Sequence, residues 1–112
     1  HARARKAADT DWKRIAALYD DLAIVTPSPV VELNRAVAHT MAFGPEAGLR
    51  LLEPLHEVPA LRTYHLLPAV RGDVLQKLGR HDEARAEFQR AAAMTQNARE
   101  KELLLRRAAG QG

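Results

Sequence analysis

The stretch Leu78-Gly79-Arg80-His81-Asp82-Glu83-Ala84-Arg85-Ala86-Glu87-Phe88-Gln89-Arg90-Ala91-Ala92 decides the fold class. Ala84, Phe88 and Ala91 recur at spacings of four and three, which places them on one face of a helix. Gly79 closes the preceding segment, and Asp82 is the expected cap of this one. Small residues beside a single aromatic ring predict two helices in close contact.

The composition of the whole chain agrees. Among 112 residues there are 21 Ala and 15 Leu against 7 Val, 2 Ile and five aromatic residues. Such a mixture favours helices over strands. One small core is the size expectation, because domains of about 100 to 200 residues are usual. With no cysteine, disulfides, thiolate metal sites and cysteine nucleophiles are excluded. No apolar run approaches the roughly 18 residues of a membrane span, and the polar, basic start has no apolar stretch behind it.

The net charge of +3 is unevenly distributed. Residues 1–6 carry +3 and residues 101–112 carry +2, leaving −2 for residues 7–100. A surface that neutralises phosphates should run through the folded body, so direct nucleic-acid binding is not expected.

Working outward, punctuation defines six helices. The first has Thr10 or Asp9 as its expected cap and Trp12, Ile15, Leu18, Tyr19 and Leu22 on one face; it stops before Thr26-Pro27. Ser28 followed by Pro29 opens the second, with Val30, Leu33, Val37 and Met41 inward. Gly44-Pro45 opens the third, with Ala47, Leu51, Leu52 and Leu55. Residues 56–62 read as a connection, and Pro68 predicts a kinked or irregular start over Tyr64 to Leu67 for the fourth, which carries Leu67, Val70, Val74, Leu75 and Leu78. The sixth runs from Ala98 to Ala109 with Leu103, Leu104 and Leu105. The expected organisation is the tail of an upstream helix over 1–8, a helical domain over 9–109 and a frayed end over 110–112.

His65 to Ala98 resembles the tetratricopeptide repeat of about 34 residues, chiefly through Gly72, Gly79, Ala84, Phe88 and Ala91. Pro68, Arg71, Leu75 and Gln96 depart from that pattern. A poorer copy lies over Val30 to Leu61. The expected architecture is therefore all-α, an antiparallel array of degenerate repeats with the flanking segments 11–25 and 98–109 as capping helices.

A second resemblance rests on consecutive strings: Asp9-Thr10-Asp11-Trp12, Leu18-Tyr19-Asp20, Pro27-Ser28-Pro29-Val30-Val31, Leu33-Asn34-Arg35-Ala36-Val37-Ala38, Gly44-Pro45, Tyr64-His65-Leu66-Leu67-Pro68-Ala69 and Leu78-Gly79-Arg80. In this order they resemble the C-terminal tetratricopeptide-like extension of bacterial extracytoplasmic-function-type RNA polymerase sigma factors. The resemblance covers roughly residues 1–107. It implies a cytoplasmic, non-catalytic interaction module acting in transcription initiation, with the promoter-reading regions upstream. The implied partners are the upstream sigma domains, RNA polymerase or a regulatory protein.

Candidate site residues follow from polarity within apolar helices. Asn34, Arg35 and Arg71 need partners if buried, since an unpaired buried polar group costs about 2 to 7 kcal/mol and a charge more. Asn34 and Arg71 are read as ties between neighbouring helices or across the Tyr64 to Pro68 bend, or else all three, with Tyr64 and His65, as the lining of a protein-binding groove. Trp12, Tyr19 and Phe88 are candidates for packing or for partner contact. Asp9 and Asp11 read as caps, and Asp20-Asp21 as a solvated face. The five histidines show no i, i+4 pair, and no Ser, Thr or Lys is framed by an activating base, so no metal, cofactor or catalytic group is expected. An alternative without a specific ligand is an oligomerising scaffold, such as a homodimer; a pocket enzyme or sensor built on Tyr64, His65 and Arg71 is a third.

Overall fold

A computed structural model of the chain describes residues 11–110. The described residues form six α-helices and no strand: α1 (Trp12–Val25), α2 (Pro29–Phe43), α3 (Pro45–Leu52), α4 (Leu66–Lys77), α5 (His81–Met94) and α6 (Ala98–Ala108). The fold is all-α, and each helix packs chiefly against its neighbours in sequence. The expected upstream tail over 1–8, the expected caps Asp9 and Thr10 and the last two residues lie outside the described residues.

Helix boundaries follow local chemistry. Asp11 caps α1, its Oδ1 accepting from the Arg14 amide at 3.1 Å. Ser28 caps α2 through the Val30 amide at 3.2 Å, with Pro29 in the first turn where no donor is needed. Gly44 at φ 104° and Gly79 at φ 80° make the turns into α3 and α5 in the left-handed region that side chains disfavour. Asn97 caps α6 through the Glu100 amide at 2.9 Å.

The irregular start expected over Tyr64 to Leu67 is present: the Leu67 amide donates to Tyr64 at 3.1 Å, and Pro68 occupies the third helical position, in the first turn. Other sequence expectations are corrected. Asp82 does not cap α5. Arg80 holds the cap position, and its guanidinium reaches forward to Glu83 at 2.7 and 2.8 Å. The third helix ends at Leu52, two residues before Pro54, and the chain continues as 3-10 turns over Glu53–Glu57 and Pro59–Leu61. The connection is thus not peripheral, since Leu55 and Leu61 join the core.

The inward faces of α1 and α2 are also rotated from expectation. In α1, Ala16 is buried while Leu18 and Leu22 are exposed. In α2, Leu33, Ala36, Ala38 and Thr40 are buried, whereas Val30 and Met41 face out. For α2, the close approach of α3 accounts for this. A Cβ at Gly48 would collide with the Thr40 hydroxyl and stand 3.1 Å from the Ala36 carbonyl, so α2 meets α3 through its smallest residues.

Two apolar clusters result. The larger joins Leu33 and Ala36 of α2, Leu52, Leu55, Leu61, and Leu67 and Val74 of α4. The second gathers Leu75, Ala84, Phe88 and Ala108 from α4, α5 and α6. Phe88 is only 1% exposed, and a Cβ on Gly72 would fall 2.9 Å from its ring. Gly72→Ala should therefore lower stability by about 1 to 3 kcal/mol through overpacking. Denaturant melts should show a smaller loss when Phe88 has been shortened to Leu, and equal losses in both backgrounds would show that the ring is not the obstacle.

Candidate interaction groove

Polar contacts fix how α4 and α6 run relative to one another. At their starts, His65 Nε2 lies 3.1 Å from Glu100 Oε1. Towards their ends, Arg107 donates to Asp73 at 2.7 Å and to Gln76 at 3.0 Å. Start meets start and end meets end, so α4 and α6 run in the same direction across α5. Between them lies a groove of about 390 Å³.

The walls are apolar and the ends are charged. Leu66 and Ala69 line the α4 side, and Leu103 and Leu104 the α6 side. His65 and Glu100 stand at one end, Arg106 and Arg107 at the other. Glu100 is oriented by the Thr95 hydroxyl, which donates to Oε1 at 2.8 Å. The Arg107 guanidinium carbon stands 4.6 Å from the centroid of the Phe88 ring, within cation–π range. Burial pushes the Asp73 carboxyl up, but hydrogen bonds from Lys77 and Arg107 outweigh it and hold the group below its ordinary 3.8.

Of the residues singled out from sequence, the structure brings only His65 to this groove. Tyr64 stands beside it, its ring edge-on to His65 with centroids 6.2 Å apart, and packs on the larger apolar cluster. Arg71 is a tie: it donates to the buried Glu87 of α5 and to Glu53 at 3.2 Å. Arg35 is a second tie, donating to Asp20 of α1 at 2.6 Å and to Glu32 at 3.3 Å. Asn34 is exposed on α2 and makes no such tie, contrary to expectation. The five candidates therefore do not line one groove.

The Asp20-Asp21 pair divides in the same way. Asp20 is part of a cluster, since His39 Nε2 also lies 2.9 Å from its Oδ1, while Asp21 is exposed. Burial raises the Asp20 carboxyl, yet hydrogen bonds from Arg35 and His39 leave it lower than its ordinary 3.8. The same carboxylate raises Arg35.

Phe88 is a core residue, whereas Trp12 and Tyr19 are half-buried and belong to neither apolar cluster. Beside them, α1 leaves an apolar surface uncovered, with Leu18 58% and Ile24 79% exposed. Sequence reasoning missed the groove residues Leu66, Leu103 and Arg106. An available signal was the leucine run 103–105, which wraps around more than one face of a helix and cannot be wholly buried by a single neighbour. Among the described residues no cluster of three or more His, Asp or Glu could hold a metal ion, and no helix is long and apolar enough to cross a membrane.

No family model matches the chain, and no solved structure matches it. The chain is 49% identical over 100 residues to an uncharacterized protein of Rhizobium meliloti (strain 1021). That match takes in 89% of this chain but only 23% of the relative, so the chain spans about a quarter of the relative's length.

Two predictions follow from the ion pairs. Glu87 is 7% exposed at its side chain, so Glu87→Gln leaves the Arg71 charge poorly compensated and should cost about 3 kcal/mol. Replacing both by apolar residues (Arg71→Met with Glu87→Leu) should cost less than the single change; strictly additive losses in urea titrations would rule out the coupling. The second concerns acid. Asp20 and Asp73 titrate lower in the fold than in the unfolded chain, so their contribution is complete above about pH 4 and is lost as pH falls through the folded values. Unfolding midpoints should fall in that window, and less steeply for Asp20→Asn than for the parent chain.

Proposed function

We propose that this chain is a non-catalytic protein-docking module of a bacterial extracytoplasmic-function-type RNA polymerase sigma factor, acting in transcription initiation. Its partner surface is the groove between α4 and α6. The upstream sigma domains, RNA polymerase or a regulatory protein would bind there, in the cytoplasm, and so govern when promoter-reading surfaces are free. Direct contact with nucleic acid is not part of this role.

The open apolar groove is the observation that carries the reading. Leu66 and Leu103 remain substantially exposed beside Leu104, which packs on the second apolar cluster. Aliphatic side chains held on rigid helices between charged ends are the usual makings of a protein-binding groove. The ordered strings from Asp11-Trp12 to Leu78-Gly79-Arg80 support the sigma-factor assignment. A relative about four times as long as the matched part is consistent with a module within a larger protein.

A second reading, a self-associating scaffold, is favoured by the uncovered Leu18, Leu22, Ile24 and Val25 of α1. Sedimentation separates the two. A stable dimer at micromolar concentration that Leu18→Glu dissociates would favour the scaffold, and a monomer would remove it.

Deleting this segment from the full-length sigma factor should change run-off transcription from its cognate promoter by at least about tenfold, the equivalent of 1.4 kcal/mol in a docking equilibrium. Unchanged transcription under every inducing condition would overturn the regulatory role.

A further inference from the structure

We infer that the groove between α4 and α6 receives an acidic amphipathic helix, with its carboxylates at the Arg106 end. The inference rests on reading that groove as a protein-docking surface, and it adds the chemistry of the occupant.

Length and floor come first. The lining runs from His65 to Ala69 on the α4 side and from Glu100 to Arg107 on α6, about 10 Å along the longer wall at 1.5 Å per residue, which is room for some two turns of a ligand helix. Leu66, Ala69 and Leu103 form an aliphatic strip that suits apolar side chains at i, i+3 or i+4, and i+7. Apart from the His65 imidazole at one end, which is engaged with Glu100, no aromatic side chain lines the groove to stack on a base, so an apolar peptide face fits better than a nucleic acid.

Charge then selects among peptides. Helices α4 and α6 together hold six cations against three acids. By contrast α1, α2 and α3 are each balanced, and α5 carries one acid in excess. This is the largest positive excess among the described helices, and two of these cations, Arg106 and Arg107, line the groove. Much of it is already used: Arg71 is held by Glu87, and Lys77 and Arg107 share Asp73. Arg106 differs. It is 57% exposed, and among the described residues its ion pair is with Glu102, at 3.4 Å within its own helix, a pair that contributes little. A ligand carboxylate arriving at this lip gains a cation without breaking an internal tie. At the opposite end Glu100 repels acids, which sets the direction in which the ligand lies.

Fluorescence anisotropy with the 112-residue chain tests the inference. The probe is a labelled synthetic peptide of about 15 residues, near the length at which an isolated helix becomes marginally stable. It carries leucines on one face and glutamates at one end. A second peptide replaces the glutamates by lysines.

The acidic peptide should bind at least about tenfold more tightly, and raising the salt concentration should narrow that margin. Leu103→Ser and Arg106→Glu should each weaken acidic-peptide binding by about tenfold, and Arg106→Glu should shift the preference towards the lysine peptide. Leu105→Ser, on the same helix but outside the groove, should leave the affinity unchanged; its 47% exposure makes it a fair control for folding.

Equal binding of the two peptides, indifference to Leu103→Ser, or displacement of the acidic peptide by duplex DNA would overturn the inference. Its failure is distinguishable from that of the sigma-factor assignment. A peptide that does not bind, together with a deletion that alters transcription, removes the acidic helix and keeps the module. A peptide that binds as stated, with transcription unaffected, keeps the groove and removes the assignment.

Discussion

The phenyl ring of Phe88 is the contact on which the C-terminal half depends. It projects from α5 into the space left by the missing side chain of Gly72 on α4, and it receives the guanidinium of Arg107 from α6. Three helices therefore meet at one side chain. Because interiors pack at crystalline density, a ring so enclosed fixes the separation of the helices around it. The groove lies between two of these helices, and Leu66 and Leu103 on its walls stay accessible.

The N-terminal half uses the same device with different residues. Gly48 lies against Thr40 and the Ala36 carbonyl, and the Thr40 hydroxyl turns back to that carbonyl at 2.8 Å, so no donor is stranded. Close approach through glycine and alanine leaves little room for large side chains at the seam. The bulky residues Val30 and Met41 of α2 lie at the surface instead.

Charged side chains act mainly as ties between elements. Asp20 joins α1 to α2, Arg71 joins α4 to α5 and to the 3-10 turn after α3, and Arg107 joins α6 to α4. The Arg71 to Glu87 tie is largely desolvated, where loss of one partner is costly; the exposed pairs matter far less. This division of labour decides what is left for a partner. Arg107, the more prominent cation in the groove by its contacts, is committed to holding the fold. Arg106 is not.

Local sequence determined where helices start and stop. Ser28-Pro29, Gly44, Gly79 and Asn97 act within a few residues through backbone sterics and the first unpaired amides, so their consequences are legible without a third dimension. The Gly72 and Phe88 pairing was legible too, as small and large residues at repeat spacing. Asp82 misled because several polar residues near a helix start can serve as cap, and only backbone geometry selects among them.

Tertiary structure alone decided the rotation of each helix. A leucine-rich and alanine-rich helix offers several apolar stripes of similar width, and which one is buried depends on how closely a neighbour tens of residues away can approach. The same dependence explains why Asn34, Arg35, Tyr64, His65 and Arg71 separate into different clusters, and why the groove residues became visible only once α4 and α6 were set side by side over Phe88.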